Sequence, residues 1–106
     1  MIATPLNPRY FQILLALSKE ALHGYGIQRA VLEQTDEGMH LWPATLYRSL
    51  AALEEGGLIE QSETPVGEPE DERRQYYVLT SEGRRRLKTE AELMARWVAE
   101  ARAGGS

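Results

Sequence analysis

At 106 residues the chain is one domain with a single core, hiding roughly two-thirds of the surface its unfolded form exposes. It has no cysteine, which excludes a disulfide scaffold and a thiolate metal site, and its two histidines, His23 and His40, are too few to suggest a zinc site. The net charge of −4 is unevenly spread: residues 54–72 carry eight acidic and no basic side chains, whereas 73–88 carry Arg73, Arg74, Arg84, Arg85, Arg86 and Lys88 against Glu82 alone.

The start, Met-Ile-Ala-Thr-Pro, lacks the basic and apolar regions of a signal peptide. No apolar run approaches the roughly 20 residues of a membrane span, so a cytoplasmic protein is expected. Asn7-Pro8 reads as a helix start, with Asn as cap and Pro in the first turn. Tyr10, Phe11, Ile13, Leu14, Leu15 and Leu17 then make a dense apolar helix ending near Lys19-Glu20. Its broad face suits the domain core first and a ligand or second subunit beyond that.

His23-Gly-Tyr-Gly26 opens a second helix, carried by Ile27, Ala30, Val31 and Leu32 to about Asp36. The glycines make a poor phosphate loop: no third glycine follows in register, no Lys-Ser or Lys-Thr follows, and no strand is expected before them. They are read as permitting close approach of backbones where helices cross, with His23 as a polar residue at the helix start. Residues 38–42 form an extended link, since Trp42 precedes a proline.

Residues 43–59 form the best-marked stretch. Pro43 suits the first helical position, and Gly56-Gly57 ends the helix with Leu58 placed against Leu53 in a Schellman cap. Leu46, Leu50 and Leu53 share one stripe. The opposite side carries Ala44, Arg48 and Ala51, flanked by Thr45, Tyr47 and Ala52, and is nearly uncharged. Small residues with one hydroxyl, one phenol and one guanidinium suit a helix lying close against something, such as a DNA groove. With the helix before it, this is a helix-turn-helix pattern.

Residues 58–63 and 73–79 read as two strands, joined by a polar loop rich in turn formers and too long for a tight hairpin. Three helices and a hairpin make a winged helix-turn-helix, a mainly α (α+β) fold. Thr80-Ser-Glu-Gly83 caps a terminal helix from about 81 to 102, in which Leu87, Ala91, Met94, Val98 and Ala101 are spaced like a coiled-coil seam and Leu93 and Trp97 form a second stripe. Folding back on its own domain would cover one stripe; a small winged helix leaves little room for both, which points to a homodimer. The expected organisation is a DNA-binding domain at 1–80, a dimerisation helix at 81–103 and a tail at 104–106. Arg84, Arg85 and Arg86 read as a solvated helix face.

Three motifs in order, HGYGI (23–27), TLYRSLAALEEGGLIE (45–60) and RRQYYVLTSEG (73–83), resemble the PadR family of bacterial transcriptional regulators over nearly the whole chain. The resemblance is to the short class with one C-terminal helix. It implies a homodimer, a winged-helix DNA-binding half and repression relieved by a small, often aromatic, effector. The chain departs from the family at the wing, whose tip is commonly basic but here holds Glu68, Glu70, Asp71 and Glu72.

On this reading Ala44, Thr45, Tyr47 and Arg48 enter the major groove of double-stranded DNA, Arg48 pairing with guanine or holding a phosphate. Tyr47 packing against the hairpin is the alternative for that side chain. Arg73 and Arg74, at the strand base, take flanking phosphates. The operator is expected to be pseudo-palindromic, with half-sites about one turn, ~34 Å, apart. Trp97, with Met94, Tyr10 and Phe11, either lines an effector slot by offset stacking or fills the dimer core. A tryptophan on the C-terminal helix of a multidrug-binding member of the short class is what supports the slot. No cofactor or metal is expected and no catalytic motif is present. A winged helix serving only protein–protein assembly is the alternative function.

Overall fold

The computed structural model describes residues 2–71 and 73–104. Among these, four helices surround a small sheet in the order α1 (Pro8–Leu17), β1 (Leu22–His23), α2 (Gly24–Gln34), α3 (Pro43–Glu55), β2 (Ile59–Ser62), β3 (Tyr76–Leu79) and α4 (Ser81–Gly104). Glu72 of the wing tip, and Gly105 and Ser106 of the expected tail, lie outside the described residues. Gly104 is the last residue of α4, not the first of a tail.

The cap of α1 forms as expected, the Asn7 side chain accepting the Tyr10 amide at 2.9 Å. The helix ends at Leu17, earlier than Lys19-Glu20, as the ladder tightens to i→i−3 bonds from Ser18 to Leu15 at 3.2 Å and from Lys19 to Ala16 at 3.3 Å, with the Ser18 hydroxyl also donating to the Leu15 carbonyl. Ile13, Leu14 and Leu17 meet Ile27 and Val31 of α2, the Leu46, Leu50 and Leu53 stripe of α3, and Ile59 and Leu79 of the sheet in one core. Each fully buried aliphatic side chain in such a core contributes about 1.5–3 kcal/mol relative to exposure.

The sheet has three antiparallel strands, not two, in the order β1-β3-β2. Strand β1 pairs Leu22 with Tyr77 and His23 with Tyr76. Two residues show no alternation in a sequence; this strand is defined only by its pairing with β3. Strand β3 also starts three residues later than expected. Arg73 and Arg74 belong to a turn, closed by the Arg74 amide on the Asp71 carbonyl at 2.9 Å.

The end of α3 is the expected Schellman cap: the Leu58 amide donates to Leu53 and the Gly57 amide to Glu54, both at 3.0 Å. Gly57 has φ +78°, the left-handed geometry that glycine adopts without strain. The next residue in this corner is shared, for the Leu58 carbonyl accepts the Thr80 amide at 3.1 Å. Thr80 then caps α4, its hydroxyl donating to Gly57 and accepting from the Gly83 amide.

The first half of α4 lies on the domain and the second half does not. Leu87 packs against the core and Glu90 is buried. Arg86 is not part of a solvated face. Its guanidinium bridges Glu90 at 3.1 Å and donates to the Ala3 carbonyl at 2.7 Å and the Thr4 hydroxyl at 3.1 Å. Glu90 also accepts the Leu6 amide at 2.8 Å, so the N-terminal arm is tied to α4. Arg84 and Arg85 are exposed as expected, Arg85 pairing with Glu82. Beyond Glu90, Ala91, Val98 and Ala101 are exposed, Leu93 and Met94 half-buried, and Trp97 is 45% exposed.

Candidate nucleic-acid interface

The outward face of α3 is set by what its inward face needs. With Leu46, Leu50 and Leu53 at 2% exposure or less, the 3.6-residue period turns Ala44, Tyr47, Arg48 and Ala51 to solvent and leaves Thr45 and Ala52 half-buried. The helix is held at its start by the preceding link: the Gln28 side chain donates to the Leu41 carbonyl at 2.7 Å, and Leu41 is buried. Trp42, the residue before Pro43, is exposed and stacks on His40 with ring centroids 5.5 Å apart. Arg48 makes one long contact, to the Thr45 hydroxyl at 3.5 Å, so its guanidinium is nearly free for an outside partner.

Tyr47 is 56% exposed yet precisely seated over Gly24, the first residue of α2. A Cβ at Gly24 would come within 2.6 Å of the Tyr47 hydroxyl. The close approach expected of the two glycines is therefore a side chain over a backbone. Gly26 likewise faces the Leu22 side chain, not another helix backbone. His23 is the cap of α2, its Nδ1 accepting the Gly26 amide at 3.2 Å. Its ring stacks beside Tyr25 and meets Tyr76 edge-on at 5.1 Å. Below Tyr47, burial raises the pKa of the Tyr77 phenol, with the Glu54 charge and Tyr47 adding to the shift. That hydroxyl stays neutral at physiological pH.

The wing supplies the remaining residues. A cleft of about 240 Å³ between the wing base and the start of α2 is lined by His23, Gly24, Tyr25, Tyr47, Arg73, Arg74 and Gln75. The fold thus gathers Tyr47, Arg73 and Arg74 around one space, while Ala44, Thr45 and Arg48 lie along α3. Tyr25 and His23 were not anticipated as neighbours of the wing; only the pairing of β1 with β3 brings them there. The two arginines are already partnered. Asp71 binds the Arg73 amide at 2.9 Å and its Nε at 3.3 Å, and lies 3.8 Å from Arg74 Nε. The Arg73 amide and guanidinium hold the Asp71 carboxyl below the usual carboxylate range.

Chemically, this surface combines a free guanidinium, hydroxyls and small side chains on a helix narrow enough for a major groove, with a second cationic point on a loop beside it. Among the described residues no cluster of metal-ligating side chains occurs, and no helix is long and apolar enough to cross a membrane.

Comparison with known proteins points the same way. A structure of a transcriptional regulator from Clostridium thermocellum is 28% identical over 91% of this chain and 88% of that one, with a TM-score of 0.68. RosR of H. salinarum is 28% identical over 96% of this chain and 98% of its own, with a TM-score of 0.67. A complex structure of that protein, hsRosR-SG, is 30% identical over 87% of this chain and 75% of that one, with a TM-score of 0.70. No curated protein sequence matches the chain significantly. The model of the transcriptional regulator PadR-like family matches residues 13–89, which span the helix-turn-helix, the wing and the start of α4. The chain belongs to the PadR-like family of transcriptional regulators, built as a winged helix with a long C-terminal helix.

Proposed function

We propose that the protein is a homodimeric repressor that binds a pseudo-palindromic operator through α3 and is released by a small, flat effector. The observation that carries DNA binding is the α3 surface itself: Ala44, Tyr47 and Arg48 are exposed on a helix whose other side is fully buried. Arg48 reads a base edge, the Thr45 and Tyr47 hydroxyls hold phosphates, and Arg73 and Arg74 hold the flanking backbone. Footprinting of the adjacent promoter tests the reading directly. Failure to shift any duplex at low salt would favour the assembly module instead.

Arg48→Ala should weaken operator binding by about 1–3 kcal/mol while leaving the thermal transition unchanged, because the side chain lies opposite the leucine stripe. Gel shifts on operator and scrambled duplexes separate the roles. An equal loss on both would reassign Arg48 to phosphate holding, and no loss would remove it from the interface.

The dimer rests on the outer half of α4. Trp97 and Val98 are 45% and 48% exposed, and with Leu93 and Met94 they make an apolar surface that a second copy of α4 would cover. Ala91 and Ala101 extend the seam, whereas Leu87 is already used by the core of its own domain. In such a dimer two Trp97 rings supply the walls for a flat aromatic ligand, with Met94 and Phe11 beside them. Tyr10 packs against the core, which makes it a supporting residue.

Val98→Glu should give a folded monomer in sedimentation, since the position is half-exposed within one protomer. In a Trp42→Phe background Trp97 is the only indole, so the same pair of proteins reports on the ligand. Planar aromatic compounds should quench Trp97 saturably in the dimer and not in the Val98→Glu monomer. A dimer that survives Val98→Glu would move the interface to another surface, and an indole unmoved by a broad panel would leave Trp97 a packing residue.

A further inference from the structure

The cleft between the wing base and α2 holds more donor capacity than the fold uses. Arg73 and Arg74 are among the residues that line it, and Arg74 also lines the neighbouring cleft that holds Asp71. Tyr47 and Tyr25 also line it, both largely exposed, and the Tyr47 hydroxyl lies over Gly24. Because Nδ1 of His23 accepts the Gly26 amide, the neutral imidazole carries its proton on Nε2. Gln75 is only a wall, as its amide already donates to the Ser62 and Tyr76 carbonyls. The donor set suits an anion.

What now occupies the guanidiniums is Asp71. It meets Arg73 through both carboxylate oxygens, Oδ1 to Nε at 3.3 Å and Oδ2 to Nη2 at 3.4 Å, and Oδ2 lies 3.8 Å from Arg74. A carboxylate set two and three residues from two arginines presents the same fork-on geometry that a phosphodiester would. Arg73 is 91% exposed, so the pair is screened by water and weak enough to exchange.

We propose that this cleft seats one backbone phosphate of duplex DNA, with Tyr25 as a contact residue, and that Asp71 is the chain's own competitor for that phosphate. This rests on the DNA-binding reading above and adds to it a limit on affinity. Each binding event must displace Asp71 from Arg73 and Arg74, so the wing contributes less than two free arginines would.

The test is fluorescence anisotropy of the full chain with a short, labelled mixed-sequence duplex, titrated across salt. Asp71→Asn should bind about threefold tighter at low salt, the scale of one exposed ion pair. Glu68→Gln makes the same change in net charge on the wing tip and should leave binding nearly unchanged. In an Arg73→Ala/Arg74→Ala background Asp71→Asn should have no effect, and Tyr25→Phe should weaken binding with its salt dependence preserved. Equal tightening by Glu68→Gln, or by Asp71→Asn without the arginines, would show a plain charge effect and overturn the proposal.

A second arm separates the cleft from the DNA reading. Inorganic phosphate titrated into Asp71→Asn should shift the Arg73 and Arg74 Nε–H resonances, and should shift them far less in the natural chain. Absence of that shift overturns the seat whatever the duplex does. Its presence without any duplex binding would leave an anion site standing and remove the DNA reading.

Discussion

Gly83→Ala should destabilise the fold by about 3 kcal/mol, lowering Tm by roughly 15 °C for a domain of this size. On an open helix the same change stabilises by about 1 kcal/mol, so the sign is decided by sterics. A Cβ at position 83 would overlap the Leu58 carbonyl oxygen and lie 2.9 Å from its carbon. The carbonyl cannot swing aside, because it accepts the Thr80 amide, and the Thr80 hydroxyl holds Gly57 at 2.6 Å. Relief therefore requires α4 to lift away from the corner, which opens the contacts of Leu87 with the core. Gly104→Ala is the control, with nothing within 4 Å of the added carbon, and should be neutral or slightly stabilising. Thermal melts followed by circular dichroism decide it. A Gly83→Ala melt at or above the natural temperature would mean that the helix and the β2 corner do not meet as described.

Glu90→Ala should cost a similar amount, about 3 kcal/mol, by a different route. Glu90 is 2% exposed and serves both Arg86 and the Leu6 amide. Removing the carboxylate strands a largely buried guanidinium and leaves a backbone donor without its partner. Glu90→Gln keeps an acceptor for Leu6 but loses the charge, so its loss should be smaller. Urea denaturation gives the energies, and amide exchange gives the mechanism. The Leu6 amide should lose its protection in Glu90→Ala well before the core amides do. If Leu6 exchanges as slowly as in the natural chain, the arm is held by something other than this carboxylate.

These two residues mark where a linear reading of the chain stops. The α3 stripe, its proline start and its glycine stop were legible because each depends on spacing within a dozen residues. The same is true of the Asn7 and Thr80 caps. Gly83 was read as part of a cap, and its stricter role arises from a carbonyl 25 positions earlier. Arg86 looked like one of three solvated arginines because nothing local distinguishes it from Arg84 and Arg85. Its burial comes from the arm at residues 3 and 4. Strand β1 leaves no local signal for the same reason, and neither does the placement of Tyr25 and His23 beside the wing. The residues that follow Arg73 and Arg74 favour a strand that would include them. The local competition from Asp71, which turns the chain with its own carbonyl and side chain, outweighed that propensity.

Leu58 joins two helices through one residue: its amide closes α3 and its carbonyl receives the start of α4. A joint bonded on both sides has little freedom to flex, so the two helices behave as arms of a rigid bracket. The 24 residues of α4 span about 36 Å, which makes it the longer arm. In a dimer clasped along the outer part of α4, a ligand that pries the clasp apart by a few degrees would rotate each bracket as a solid piece. The two α3 helices would then change their separation without any change in their own shape. On the proposed function, the distance between the two α3 helices would be the quantity adjusted, and the exposed surface of each would remain intact throughout.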